Sequence, residues 1–151
     1  MLRESINAAL REAMKGGDKR RVSTLRLVNA ALKNADIDAR GRGKGPLSDD
    51  ELLGLLQKMI KQRQESVELY EKGGRAELAA QEREEIEIIA SYLPSQMSEA
   101  EMRAAVEAAI ADTGAAGMKD MGKVMTALKE RHSGEVDFGK ASGVVKALLA
   151  R

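Results

Sequence analysis

Lysines and glycines at helical spacing in the last third of the sequence are the residues best suited to bind a ligand. Lys119 and Lys123 are predicted to lie on the solvent-exposed side of one short helix, and Gly122 would let a phosphate approach the backbone. Lys140 and Gly143 share a flank of the last helix in the same way. Lysines that contact phosphates give affinity without sequence readout. The pattern predicts a phosphate-binding surface, with two amphipathic helices whose lysines only face water as the alternative.

Catalytic chemistry has little support in the sequence. The chain has no cysteine and a single histidine, His132, near a predicted helix end before Gly134. A protonated imidazole is favoured there by the helix dipole. Ser48 and Ser98 stand at predicted helix starts, where hydroxyls bind backbone amides. We therefore expect no catalytic residue and no cofactor.

A metal site is also not expected. Four glutamates cluster in the fourth predicted helix, Glu82, Glu84, Glu85 and Glu87. A di-metal site in a helix bundle needs Glu-x-x-His pairs on facing helices, and no histidine completes one. A solvated acidic face is the preferred interpretation. The basic, glycine-rich segment 40–46 lacks a Walker pattern, so a flexible surface loop is preferred there over a phosphate site.

Charge is unevenly spread along the chain, although the formal net charge is only +1. Residues 1–63 hold 14 Lys and Arg against 8 Asp and Glu, and residues 64–101 hold 3 against 10. The remainder holds 8 against 6. The distribution indicates either a bipolar surface or scatter over solvated helix faces. A strong nucleic-acid binder would be more basic than this.

The composition predicts an all-α protein. Aromatic residues make up 2% of the 151 residues, and the good helix formers dominate. The sequence lacks the roughly 18-residue apolar run of a membrane span, and its start lacks the apolar core of a signal peptide. The lack of cysteine fits a reducing compartment. We expect a soluble, cytoplasmic protein with no membrane partner.

The helices that position these residues follow from periodicity and capping. Apolar spacing predicts helices over 2–15, 19–37 and 49 to about 72, and a fourth helix leading to Leu93. Asp18 is a candidate N-cap, and Ser48 with Glu51 forms a capping box. Segment 40–46 has four Gly or Pro in seven residues, which predicts a loop.

The dipeptide Leu93-Pro94 divides the chain, because the residue before proline disfavours helical dihedral angles. Ser98 and Glu101 then form a second capping box, and three short helices follow, the last capped by Asp137. The predicted organisation is a helical bundle over 1–93, a linker at 94–98 and a three-helix domain over 99–151.

Four segments together resemble the YqeY family, whose members share the tail fold of GatB, a subunit of the tRNA-dependent Asp/Glu amidotransferase. They read TLRLVNAALK at 24–33, IKQRQES at 60–66, YLPSQMSEAE at 92–101, and the tail from Met121. The resemblance implies an N-terminal four-helix bundle and a C-terminal three-helix domain. It also implies the family label of a carbon–nitrogen ligase with glutamine as amido donor.

In GatB the tail contacts tRNA and is joined to a large body that activates and transfers the amide. This sequence contains no such body, and no catalytic residue matches. What carries over is the pattern of Gly122, Lys123 and 134–137, with a loose tRNA-contact role. The resemblance favours a non-catalytic tRNA-binding or accessory module. One alternative is a component of an amidotransferase or aminoacyl-tRNA synthetase complex; another is a protein-interaction bundle that uses the basic front or the acidic fourth helix.

Overall fold

The computed structural model describes residues 2–150, and over this range the chain is all-α, as predicted. Residues 2–150 contain no strand, and none of their helices is long and apolar enough to cross a membrane. The α-helices are α1 (Leu2–Gly16), α2 (Lys19–Gly41), α3 (Asp49–Lys72), α4 (Ala76–Ala90), α5 (Glu99–Thr113), α6 (Met121–Arg131) and α7 (Phe138–Leu149). A short 3₁₀ helix, Met118–Asp120, precedes α6.

The chain divides into two compact units, the first ending at Leu93 and the second beginning at Pro94. In the first unit α3 packs against α4, α1 packs against α2, and α2 also contacts α4. The buried residues of its core are Ile6, Ala13, Leu25, Val28, Leu32, Leu52, Leu56, Met59 and Ile89. All four helices contribute to this core, so burial of aliphatic side chains holds them together.

The second unit has a core of its own, where α5, α6 and α7 contact one another pairwise. Its buried residues are Met102, Val106, Ala109, Val124, Leu128, Val136, Ala141, Val145 and Leu149. On α6, burial of Val124 and Leu128 leaves Lys123 on the exposed side. The direction of the tail lysines therefore follows from which side of each helix is apolar.

Hydrogen bonds confirm four predicted helix starts. The Asp18 and Asp137 carboxylates accept from backbone amides in the first turns of α2 and α7. Ser48 and Ser98 each form a complete capping box with the glutamate three residues later. These contacts satisfy amides that have no partner within their own helix, which fixes where each helix begins.

The end of α2 differs from the prediction. The helix was expected to end near residue 37 and segment 40–46 to be loop, but α2 continues through Gly41. Ala39 is buried, and its carbonyl accepts from the Lys44 amide at 2.9 Å. Burial and hydrogen bonding at the last turn outweigh the helix penalty of glycine, which is about 1 kcal/mol.

Residues of the predicted linker 94–98 are hydrogen-bonded to the second unit. The Gln96 side-chain amide donates to the Gly134 carbonyl at 2.6 Å, and the Met97 amide donates to the Glu135 carbonyl at 2.8 Å. Gly134 has a φ of 76°, a conformation that glycine adopts without the steric cost of a side chain. This turn before α7 therefore anchors the chain that enters α5.

Candidate nucleic-acid interface

The five predicted phosphate-binding residues all lie in the second unit, and all are exposed. Lys119 is in the 3₁₀ helix, Gly122 and Lys123 are in the first turn of α6, and Lys140 and Gly143 are on α7. Each is therefore accessible to a ligand. Phosphate binding by these residues remains a prediction.

A shallow, open depression with a volume of about 600 Å³ brings Gly122 and Lys123 together. It is lined by Thr113, Gly122, Lys123, Thr126, Ala127, Glu130 and Arg131. Among the described residues, its lining does not include Lys119, Lys140 or Gly143. The predicted surface is therefore concave only at the α6 positions, close to the last turn of α5.

Gly122 is a helical glycine without a packing constraint. A β-carbon built at Gly122 or at Gly143 would meet no atom within 4 Å. The Thr126 hydroxyl donates to the Gly122 carbonyl at 2.8 Å, so that carbonyl is satisfied. Gly54 on α3 is equally open, so openness alone does not mark a site. What distinguishes Gly122 is its position beside Lys123 in the depression.

Asp120 reduces the positive charge at this position. Its carboxylate accepts from the Ala116 amide at 2.9 Å, and this bond is the main cause that lowers the Asp120 pKa, with Lys123 and Lys119 adding to it. The Lys123 ammonium is 3.8 Å from the same carboxylate, with 68% of the lysine side chain exposed. Such an exposed pair is weak, so Lys123 can turn towards a phosphate at little cost.

Arg131 is a cation of this depression that the sequence analysis missed. It follows Lys123 by eight residues on α6, which places both on one side of the helix. Its guanidinium donates to the Asp112 carboxylate at 2.9 Å, and both side chains are largely exposed. Arg131 therefore adds a second cationic group to the lining of the depression.

Comparison with known proteins decides the family. The sequence model of the family described as Yqey-like protein matches residues 3–149. The chain belongs to the YqeY family. The match covers both units, so YqeY membership applies to the first unit as well as to the tail.

Three curated relatives of this YqeY chain come from fungi and share one name, Altered inheritance of mitochondria protein 41, mitochondrial. The protein from Lachancea thermotolerans is 38% identical over 104 residues, which cover 68% of this chain and 54% of that protein. The one from Vanderwaltozyma polyspora is 34% identical over 86 residues, covering 57% and 45%. The one from Pyrenophora tritici-repentis is 29% identical over 137 residues, covering 83% and 70%. The chain thus spans about half the length of the first two.

His132 of this YqeY chain lies at the C-terminal end of α6, where the sequence predicted it. Its surroundings were not predicted, because a carboxylate oxygen of Glu135 lies 3.4 Å from the His132 Nδ1. The glutamate lies within the turn that anchors Met97. His132 and Glu135 therefore form a contact across the turn between α6 and α7.

The acidic side of α4 is not uniformly solvated, contrary to the prediction. Glu85 is buried and accepts from the Arg63 Nε at 3.0 Å, while a Glu82 oxygen lies 4.0 Å from the same nitrogen. Arg63 falls in line with the apolar residues of α3, which is the sequence signal that could have revealed a buried partner. Within residues 2–150, no group of three or more His, Cys, Asp or Glu side chains is placed to hold a metal.

Proposed function

We propose that this YqeY-family protein is a non-catalytic accessory module that binds the phosphate backbone of tRNA through its second unit. The observation that carries the proposal is the open depression on α6, where Gly122 and Lys123 lie together and Arg131 adds a second cation. The resemblance of the tail to that of GatB, which contacts tRNA, supports the choice of RNA.

The proposed contacts are electrostatic and independent of base sequence. Lys123 acts as a point charge on one phosphate, and the guanidinium of Arg131 binds another through paired hydrogen bonds. Lys119 and Lys140 are exposed in the same unit and add further phosphate contacts. A few such contacts give a dissociation constant of about 10⁻⁴–10⁻⁶ M at physiological salt.

The proposed module acts beside an enzyme of tRNA-dependent amidation rather than as that enzyme. An amidotransferase or an aminoacyl-tRNA synthetase complex is the partner that the GatB resemblance suggests. Purified chain incubated with glutamine, ATP and mischarged tRNA is expected to show no turnover. Turnover that persists through repurification and responds to a point mutation would make the chain an enzyme instead.

Location is part of the proposal. Cytoplasmic localisation of this chain stays a prediction from its sequence. The names of the fungal relatives place those proteins in mitochondria. Fractionation of source cells, with detection of the native protein, decides between the two compartments for this chain.

The division into two domains is also a proposal. We infer that α1–α4 form a four-helix bundle and α5–α7 a three-helix domain, each able to fold alone, joined at 94–98. Limited proteolysis is expected to cut first within 94–98 or in the loop that follows α2. If a broad-specificity protease cuts neither segment and the chain stays intact, the two units are not separate domains.

The tRNA proposal is tested by charge reversal in the second unit. The variant Lys119→Glu/Lys123→Glu/Lys140→Glu is titrated with labelled tRNA beside the matched variant Lys15→Glu/Lys58→Glu/Lys72→Glu, whose exposed lysines lie in the first unit. The first variant should lose most of the binding and the second should keep it. Melting curves check that both remain folded. Equal binding by wild type and the first variant rules out this surface.

A further inference from the structure

The outward face of α2 carries a regular sequence pattern that the bundle does not use. Exposed residues alternate at intervals of four and three, and these are Ser23, Leu27, Ala30, Asn34 and Ile37. Exposed cations follow one flank at every seventh residue, and these are Lys19, Arg26, Lys33 and Arg40. Seven residues of helix rise by about 10 Å, so the cations form an evenly spaced line along α2.

This spacing is the heptad repeat of a helix that pairs with another helix. In heptad terms Leu27 and Asn34 take position a, and Ser23, Ala30 and Ile37 take position d. The four cations all fall at position g. Positions a and d form the contact seam, and the charges at e and g select the partner and its orientation.

The seam faces away from the core of the first unit. Leu25 and Val28 on the opposite side of α2 are fully buried, whereas 49% of Leu27 and 62% of Ile37 is exposed. These two are among the few large aliphatic residues that are exposed to solvent. Single exposed apolar residues are common, but two at positions of one heptad seam beside a line of cations form a defined surface.

The charge of the line is only partly compensated inside the chain: the Leu47 amide, Arg3 and, after them, Arg40 lower the pKa of Asp36, and the Arg26 guanidinium donates to the Met14 sulfur at 3.7 Å. Among residues 2–150, no carboxylate forms an ion pair with Lys19, Arg26, Lys33 or Arg40. By contrast, the neighbouring cations Arg3 and Arg20 are paired with Asp36 and Glu84. The four g-position charges are therefore available to an acidic partner.

We propose that the outward face of α2 docks an acidic amphipathic helix of another protein, with aliphatic residues against the seam and carboxylates against the cation line. A phosphate backbone would gain from the cations but nothing from Leu27 and Ile37, so the aliphatic seam favours a protein helix over RNA.

A second copy of α2 is a poor occupant of this surface. Antiparallel pairing would bring the g-position cations of the two copies together. Parallel pairing would set g against e, where Ala31 and Asp38 stand, and Asp38 already accepts from Arg42 at 2.9 Å. Asn34 at position a would fix the register in which a partner helix pairs with α2. The surface is therefore specific for a carboxylate-bearing helix of different sequence.

The probe for this proposal is a synthetic peptide of four heptads with Ile at a, Leu at d and Glu at e and g. The full chain, its variant Arg26→Glu/Lys33→Glu and the control Lys58→Glu/Lys72→Glu on α3 are titrated with it. Both variants change the net charge equally. The first should bind about tenfold more weakly or worse, since two attractive pairs become repulsive, and the control should bind like wild type.

A charge swap gives the proposal a second readout. A peptide with Lys in place of Glu at e and g should bind Arg26→Glu/Lys33→Glu better than it binds wild type. A short A-form RNA duplex serves as the competing class of ligand. Three results would each overturn the proposal: equal peptide binding by wild type and the α2 variant, no rescue by the lysine peptide, or duplex binding that Arg26→Glu/Lys33→Glu weakens while the acidic peptide does not bind wild type. Duplex binding that the α2 variant leaves unchanged belongs to the proposed surface of the second unit, so the α2 variant separates the two proposals.

Discussion

Arg63 of α3 donates through its Nε to a carboxylate oxygen of Glu85 on α4, with 3.0 Å between the two atoms. Only 14% of the arginine side chain and 8% of the glutamate side chain is exposed. A Glu82 oxygen lies 4.0 Å from the same Nε, and burial, followed by the charge of Glu85, raises the Glu82 pKa. One guanidinium thus faces two carboxylates inside the first unit, so its charge balances only one of them when both are ionised.

Replacement of Glu85 by glutamine should destabilise the first unit by about 3 kcal/mol, because a buried charge loses its main partner. The matched change Glu84→Gln breaks an exposed pair with Arg20 and should cost under about 1 kcal/mol. Urea unfolding followed by tyrosine fluorescence reports this unit, since Tyr70 and Tyr92 both lie in it. Equal shifts for the two variants would show that burial of Glu85 is energetically unimportant.

Thr24 of α2 is fully buried, and its hydroxyl has no hydrogen-bond partner. Thr24→Val keeps the shape and removes an unpaired polar group, so it should stabilise the first unit by about 1 kcal/mol or more. The adjacent Ser23 hydroxyl is exposed and donates to the Arg20 carbonyl, and Ser23→Ala should change stability by less than about 0.5 kcal/mol. Loss of stability in Thr24→Val would mean that the hydroxyl has a stabilising partner.

The capping glutamate Glu101 should make the second unit sensitive to acid. A hydrogen bond from the Ser98 amide is the largest cause that lowers the Glu101 pKa. A carboxyl whose pKa is lower in the folded state stabilises it above the unfolded pKa, and this contribution disappears as pH falls through the folded pKa. Glu101→Gln can still cap but cannot titrate, so its melting temperature should fall less between pH 6 and pH 3. The same fall in wild type and variant would remove Glu101 as a cause.

Gly122→Ala should raise the stability of the second unit and lower its affinity for tRNA. A methyl group there meets no atom within 4 Å, so the helix should become more stable by up to about 1 kcal/mol. The same methyl group stands in the depression and should weaken tRNA binding. Gly54→Ala is the control, since it is equally open on α3 and should stabilise without any change in tRNA affinity. Unchanged tRNA affinity in Gly122→Ala would exclude close backbone approach at that residue.

Local signals account for the parts of the fold that the sequence predicted well. Ser48 and Ser98 define helix starts through residues three positions away, and the side chains of Asp18 and Asp137 accept from amides within three residues. Such contacts join residues that are close together in the sequence, so the sequence alone can predict them. The exposed positions of Lys123 and Lys140 follow in the same way from helical periodicity, whereas Lys119 is exposed in the 3₁₀ helix before α6 and not on α6 as predicted.

Contacts between distant residues account for what was missed. Glu85 is buried because of Arg63, 22 residues away on another helix. The last turn of α2 is retained because Ala39 packs inside, although Gly41 follows it. Arg131 was overlooked because the depression depends on how α5 and α6 meet, which periodicity within one helix does not give.

The salt dependence of tRNA affinity tests the central claim most directly. If about three phosphates are held by the second unit, the logarithm of the binding constant should fall with the logarithm of salt concentration with a slope of about −2 to −3. Lys119→Glu/Lys123→Glu/Lys140→Glu should remove most of this binding. Absence of tRNA binding by wild type at low salt, or an affinity that does not change with salt, would contradict the account.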